Sequence, residues 1–284
     1  MSRISMQNIA VMSVQYWHYS FEYFLNSMEK CHLYNIDLWG GAPHFCFDNY
    51  KTRTEANQRI SELRKQIEAR GMKVVTFTPE QLNYPINIAG REAAYRTKSL
   101  EYFVRSMEDA LAFGTNRLFM TSGWGLLDEP REDAWKRSVE SLRFLTEKAQ
   151  ELNVTLIIEQ LQPYESNLLT TCNDMRRMLF EVNSDALQCC VDLVAMAVVK
   201  DELQSFFDQM PGRIHHIHFA DGNPSGHYIW GDGNLPMMDY VHTLEANNYA
   251  EYLTLEINDA IYWNDPHDSI DRTARYLRRY LPEA

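Results

Sequence analysis

Apolar residues run along the chain in short, almost unbroken blocks separated by longer stretches of mixed character. The blocks cover residues 9–14, 34–39, 73–77, 117–121, 155–159, 187–191, 214–219 and 252–257. A strand covered on both faces reads this way because neither side of its pleat meets water, so each block predicts a parallel strand. The stretches between them, clearest over 54–70, 92–113, 133–152 and 201–210, have the spacing of amphipathic helices. Gly71 and Gly114 stand where a helix has to end before the next strand begins. Eight strand–helix units predict an α/β fold, a single (β/α)8 barrel with a parallel eight-stranded core. An open doubly wound sheet would want a glycine-rich first turn, and the chain reads Gln15-Tyr16-Trp17-His18-Tyr19 there. Neither a low-complexity segment nor a charge block interrupts the alternation, so one domain is expected over residues 1–284.

Composition narrows the setting. Of the 284 residues 45% are hydrophobic and 23% charged, and no apolar run reaches the length of a membrane span. The first residues lack the apolar stretch and small-residue cleavage site of a secretory leader. The five cysteines (Cys31, Cys46, Cys172, Cys189, Cys190) are odd in number and scattered, without a C-x-x-C pair. Free thiols in a reducing, cytoplasmic setting are expected, and a thiolate zinc site is not. A formal net charge of -12 repels phosphodiester backbones and anionic membranes, which argues against nucleic acid or a lipid surface as partner.

Chemistry in such barrels gathers at the C-terminal ends of the strands. The fifth block ends in Glu159, the sixth runs into Asp192, the seventh carries His216 and His218, and the eighth carries Glu256. An ionised carboxylate at the end of an apolar strand is costly unless it is paired or bound to a cation. Taken singly, each residue reads as a rim group with a salt-bridge partner. Taken together, three carboxylates and one imidazole at one level repel one another unless an ion sits between them. Glu159, Asp192, His218 and Glu256 are therefore expected to hold one divalent metal ion. Three oxygens and one nitrogen suit manganese first, with magnesium, cobalt or zinc as alternatives. Such an ion keeps two neighbouring positions for a sugar carbonyl and the adjacent hydroxyl. His216 shares the inward face of its strand with His218 and is expected to support that ligand by hydrogen bonding.

At these residues the chain resembles the sugar phosphate isomerase/epimerase superfamily of xylose isomerase-like barrels, over essentially its whole length. Glu159-Gln160-Leu161-Gln162-Pro163-Tyr164-Glu165-Ser166-Asn167 matches the fifth-strand element of ketohexose 3-epimerases. There the first glutamate binds metal and the second holds the hydroxyl end of the substrate, which implies the same roles for Glu159 and Glu165. Trp39-Gly40-Gly41-Ala42-Pro43-His44-Phe45, Thr78-Pro79-Glu80 and His227-Tyr228-Ile229-Trp230-Gly231-Asp232-Gly233 are similar to the fructoselysine 3-epimerase group. Two positions depart from the ketohexose pattern: Ala195 stands where a histidine is usual, and Pro224 where an arginine is usual. A substituted sugar, such as a ketosamine, therefore fits better than a plain ketohexose. The resemblance also implies a homo-oligomer.

The expected reaction is inversion at C3 of a ketose through a cis-enediolate, with Glu159 and Glu256 as acid and base. Strands five and eight lie three places apart in a ring of eight, so these two side chains approach a substrate from nearly opposite sides. Trp17, His18, His44, Trp124 and His227 fall on loops at the same mouth and are candidate substrate contacts, each with loop packing as its plain alternative. A lyase or another isomerase, of the inosose dehydratase or hydroxypyruvate isomerase type, would use the same ligands, and a sugar-binding barrel without chemistry would need no metal. An abasic-site endonuclease would need further metal ligands and a basic groove. Asp221 to Asp232 has the spacing of a calcium loop but follows a strand and carries Pro224 within it, so a turn is expected.

Overall fold

The apolar blocks become strands, and each strand pairs with its neighbours in sequence until the eighth meets the first. The computed structural model describes residues 3–81 and 85–283. In chain order they form β1 (Ile9–Met12), α1 (Phe21–Lys30), β2 (Asn35–Gly40), α2 (Arg53–Glu68), β3 (Lys73–Pro79), α3 (Ala93–Phe113), β4 (Arg117–Thr121) and α4 (Arg131–Leu152). There follow β5 (Thr155–Glu159), α5 (Cys172–Val182), β6 (Leu187–Asp192), α6 (Leu193–Val199), α7 (Leu203–Gln209), β7 (Ile214–His218), α8 (Met237–Ala246), β8 (Leu253–Leu255) and α9 (Pro266–Leu277). All strand pairs are parallel and the barrel is closed, in the order β1 to β8.

Helix ends follow local chemistry. Ser20 and Thr52 accept a backbone N–H at the starts of α1 and α2, and Thr171 with Asp174 makes a reciprocal capping box on α5. Gly114 ends α3 at φ 93°, and Gly71 follows α2 at φ 68°, conformations that a side chain would strain. Three strands, β1, β7 and β8, are shorter than their apolar blocks, β7 by a single residue. β1 stops at Met12 because Ser13–Tyr16 turns into a 3-10 helix, where the Ser13 hydroxyl accepts the Trp39 N–H at 3.0 Å. β8 stops at Leu255, leaving Glu256 one residue beyond the ladder. The short α6 has no counterpart among the expected helices.

Alternation along each strand separates two environments. Leu118, Met120, Leu156, Ile158, Cys189, Val191 and Ile217 join the main core with the helices. Their neighbours Phe119, Ile157 and Cys190 form a separate small cluster inside the barrel. That cluster is the floor beneath the residues at the strand ends. All five cysteines are free, as expected from their spacing. Among the described residues no helix is long and apolar enough to cross a membrane.

Leu156 is fully buried on the helix-facing side of β5, between residues that serve the barrel interior. Leu156→Ala is expected to lower stability by about 2–5 kcal/mol through lost burial and the cavity left behind. Urea unfolding would read this as a lower midpoint at unchanged slope, and a loss under ~1 kcal/mol would contradict the packing described.

Candidate metal centre and active site

The ladder register explains how four strands aim at one point. Glu159 pairs with Cys190, Asp192 with His218, and His218 with Thr254. The candidate ligands thus do not share one rung. They step by two residues between β5 and β6 and again from Thr254 to Glu256. Strand tilt in a closed barrel imposes such a stagger, and a step of two keeps every side chain on the inward face.

One ligand atom from each of Glu159, Asp192, His218 and Glu256 lies within 4.8 Å of all the others. His218 Nδ1 stands 2.5 Å from Glu159 Oε1 and 2.8 Å from Glu256 Oε2. Asp192 divides its work. Its Oδ1 caps α6 by accepting the N–H groups of Val194 (2.6 Å) and Ala195 (3.1 Å), while Oδ2 faces the cluster, 2.9 Å from His227 Nε2. Buried Gln160 donates to the Asp192 carbonyl at 2.8 Å and fixes this corner. Burial alone would strip His218 and His227 of charge, but Glu159 and Glu256 outweigh it at His218, as Asp192 and Glu256 do at His227. Both rings are held well above the ordinary histidine range. Burial also pushes Glu159 up, against the pull of His218.

Above the cluster opens a cavity of about 460 Å³. Glu159 and Glu256 form part of its wall, with Trp17, Trp39, Trp263 and Phe119 as its aromatic surfaces and Thr78, Glu80, Gln81, Thr121 and Asn258 as polar ones.

Comparison with known proteins follows from this geometry. A family model described as the xylose isomerase-like TIM barrel matches residues 36–280. The chain belongs to the xylose isomerase-like TIM barrel family. Fructoselysine 3-epimerase of Escherichia coli O157:H7 is 28% identical over 250 residues, covering 87% of this chain and 89% of the relative. 3-Dehydro-D-guloside 4-epimerase of Escherichia coli K12 is 25% identical, over 77% of this chain and 84% of its own. Among solved structures, D-psicose 3-epimerase with D-tagatose from Clostridium cellulolyticum H10 superposes with a TM-score of 0.80 at 15% identity, covering 98% of this chain and all of that one. The apo 3-keto-D-glucoside 4-epimerase from E. coli gives 0.78 at 19% identity, over 96% and 99% of the two chains. These two share the fold, and the curated relatives are sugar epimerases.

In this xylose isomerase-like barrel the four strand-end residues fit a metal ion. Glu159 Oε1 and both ring nitrogens of His218 are buried and make no well-aligned hydrogen bond, Nδ1 meeting the two carboxylates only as a close ion pair. Leaving such atoms unmade costs free energy that a bound cation would recover. Ligands opposite each other on an ion with ~2.1 Å bonds are about 4.2 Å apart, so a spread of 4.8 Å needs only a small contraction.

The remaining expected residues are distributed unevenly. His216 lies beneath His218, its ring 5.4 Å away edge-on, with Nε2 2.9 Å from Thr254 Oγ1 and 3.4 Å from Asp37 Oδ2. Its burial drives the ring down to about 4, hence neutral. Glu165 accepts the N–H of Gln162 at 2.9 Å, and burial pushes its carboxyl up to about 7. His227 is not on the mouth but at the cluster, carried there by a loop that Asp221 organises. Asp221 accepts four backbone N–H groups, from Gly222, Gly231, Gly233 and Leu235, so the calcium-like spacing is a turn built on one carboxylate. Asp232 pairs instead with Arg272 at 2.6 Å.

Trp17 lines the cavity, and exposed His18 packs beside Trp17 and Trp263 without reaching the wall. His44 is a correction. It was expected to touch substrate, yet it is buried behind Trp39 with both ring nitrogens engaged, by Ser13 Oγ at 3.1 Å and the Tyr16 carbonyl at 3.2 Å. Burial lowers it to about 4, so a neutral ring braces the β1 and β2 loops. Trp124 does not line the cavity, and its backbone N–H and carbonyl are both clamped by Asn87. Sequence reasoning passed over Asp37, Gln81, Asn258 and Trp263 entirely. An acid amid the apolar residues of β2 was the available signal for Asp37, and a polar-aromatic loop after β8 the signal for Trp263.

Proposed function

We propose that the chain is a metal-dependent carbohydrate epimerase that inverts C3 of a ketose or substituted ketosamine, with Glu159 and Glu256 as the acid–base pair. One observation carries this reading: two carboxylates from strands three places apart in a closed barrel open into one cavity while both contact one imidazole. Inversion requires a proton to leave one face of a carbon and another to arrive on the opposite face. A carboxylate on each side supplies this without any group crossing the cavity.

A divalent ion held by Glu159, Asp192, His218 and Glu256 would draw electron density from the sugar carbonyl and ease removal of the neighbouring proton. Glu159, its side chain 5% exposed, and Glu256, 17% exposed, hold or release the proton at their carboxylate oxygens. The roles swap when the reaction runs backwards. His227 brings a ring N–H to the neighbourhood of Asp192 and Glu256, in a barrel where Ala195 and Pro224 offer no polar side chain. We assign it the hydroxyl next to the reacting carbon, and Glu165 a hydroxyl further along the sugar. Trp17 offers an apolar face to the ring, and His18 supports Trp17.

Turnover in D2O tests the reaction. With manganese present and a panel of ketoses and ketosamines, deuterium is expected at C3 of both recovered and inverted sugar. No label on the carbon beside the carbonyl, for any member of the panel, would sink the reading.

A further inference from the structure

One carboxylate at the barrel mouth has no use in the metal centre or in the proton transfers. Glu80 follows directly on β3 and lines the same cavity as Glu159 and Glu256. The Trp39 indole N–H donates to its Oε2 at 2.9 Å, which fixes the carboxylate but cancels none of its charge. Glu80 is exposed, and none of the ion pairs among the described residues includes it. Its backbone is held in place from next door. The Gln81 amide donates to the Pro79 carbonyl at 3.0 Å and accepts the Thr121 N–H at 2.7 Å, so Gln81 serves the scaffold and Glu80 is left facing the cavity.

The surroundings of Glu80 are aromatic. Trp17, Trp39 and Trp263 share its cavity, with Trp17 and Trp263 edge to face at 5.2 Å. Indoles alone would serve any sugar face. A fixed negative charge among them is different, because a neutral hydroxyl gains little from it and an anion is repelled. An organic cation gains twice, from the carboxylate and from the ring faces. A volume of about 460 Å³ falls within the ~300–1,000 Å³ of pockets that enclose drug-sized ligands, which leaves room beyond a six-carbon sugar.

We infer that Glu80 is a specificity-determining residue that receives a positively charged amine carried by the substrate, between the carboxylate and the surrounding indoles. The inference rests on the epimerase reading only for which end of the sugar meets the strand-end carboxylates. The substrate class it names is a ketose in which a protonated secondary amine replaces a terminal hydroxyl.

Binding decides it separately from turnover. The probes are a 1-deoxy-1-alkylamino ketohexose, cationic at neutral pH, and the 1-O-alkyl ether of the same chain length. Calorimetry on the manganese-loaded protein is expected to show the amine bound about three- to tenfold more tightly, the range of a solvent-exposed ion pair backed by ring faces. That preference should shrink as salt is raised. Glu80→Gln keeps an acceptor for the Trp39 N–H and removes the charge, so it should bring the two affinities together. Equal affinities in the unaltered protein, binding of neither probe, or a preference that survives Glu80→Gln would each overturn the inference. The unaltered protein's preference and its salt dependence stand even if the variant folds poorly. Deuterium exchange on the same samples judges the epimerase reading by itself: preference without exchange strikes that reading, and exchange without preference strikes this one.

Discussion

Glu159→Gln and Glu256→Gln are each expected to slow the interconversion of two epimers, with kcat lowered about 10²–10⁴-fold, the range for loss of a positioned acid or base. The expected result is more specific than a loss of rate. Each variant keeps one carboxylate, and that carboxylate can still exchange a proton on the face it reaches. Glu159→Gln should therefore retain slow deuterium wash-in for one epimer, and Glu256→Gln for the other. Both residues are also candidate ligands, so manganese content must be measured alongside, and the comparison made at equal occupancy. If both variants label the same epimer, the two glutamates do not act from opposite faces and the inversion mechanism fails.

Chelation gives the second large effect. Removing divalent metal should abolish epimerisation and lower the melting temperature, because the buried atoms of Glu159 and His218 then keep only an ill-aligned ion pair. A metal supplied at a hundred times its Kd adds about 2.7 kcal/mol to the folded state. In a chain of this size that corresponds to a shift of roughly 4–5 °C. Thermal unfolding with manganese, magnesium, cobalt or zinc against chelator would rank the ions. His218→Ala should abolish the shift, since it removes the one nitrogen at the centre of the cluster. A melting temperature indifferent to every divalent ion would contradict the metal centre.

The barrel was legible because its signal is redundant: eight apolar blocks must all be covered on both faces, and a first turn without glycine spoke against the open, doubly wound alternative. The clustering of the four strand-end candidate ligands was legible for a related reason, since a carboxylate has no cause to end an apolar strand unless something balances it. Their geometry was not. The step of two residues from Glu159 to Asp192, and from His218 to Glu256, comes from strand tilt, which leaves no mark on any single strand. Asp192 conceals a second duty, because an acid before Leu193 reads equally as a strand end or a helix cap, and it is both. His44 misled because a histidine at a barrel mouth looks the same in sequence whether its nitrogens face a cavity or a serine. Glu80 stood in a family-like string without a role, and Trp263 escaped altogether, for the opposite reason: an acid or a tryptophan on a loop is commonplace until a shared cavity brings them together.

The way Asp221 holds its loop bears on how this protein could change. Both of its oxygens bind main-chain amides, so the fastening is indifferent to the side chains of the exposed stretch 223–225, whereas the glycines around it are required: a Cβ at Gly233 would meet Asp221 Oδ1 at 2.4 Å, and Gly231 sits at φ 102°. Mutations along that stretch can reshape the rim while His227 stays at its post. The loop is thus a cassette with a fixed hinge pin, in which the exposed rim can change while the strand-end cluster underneath keeps its geometry.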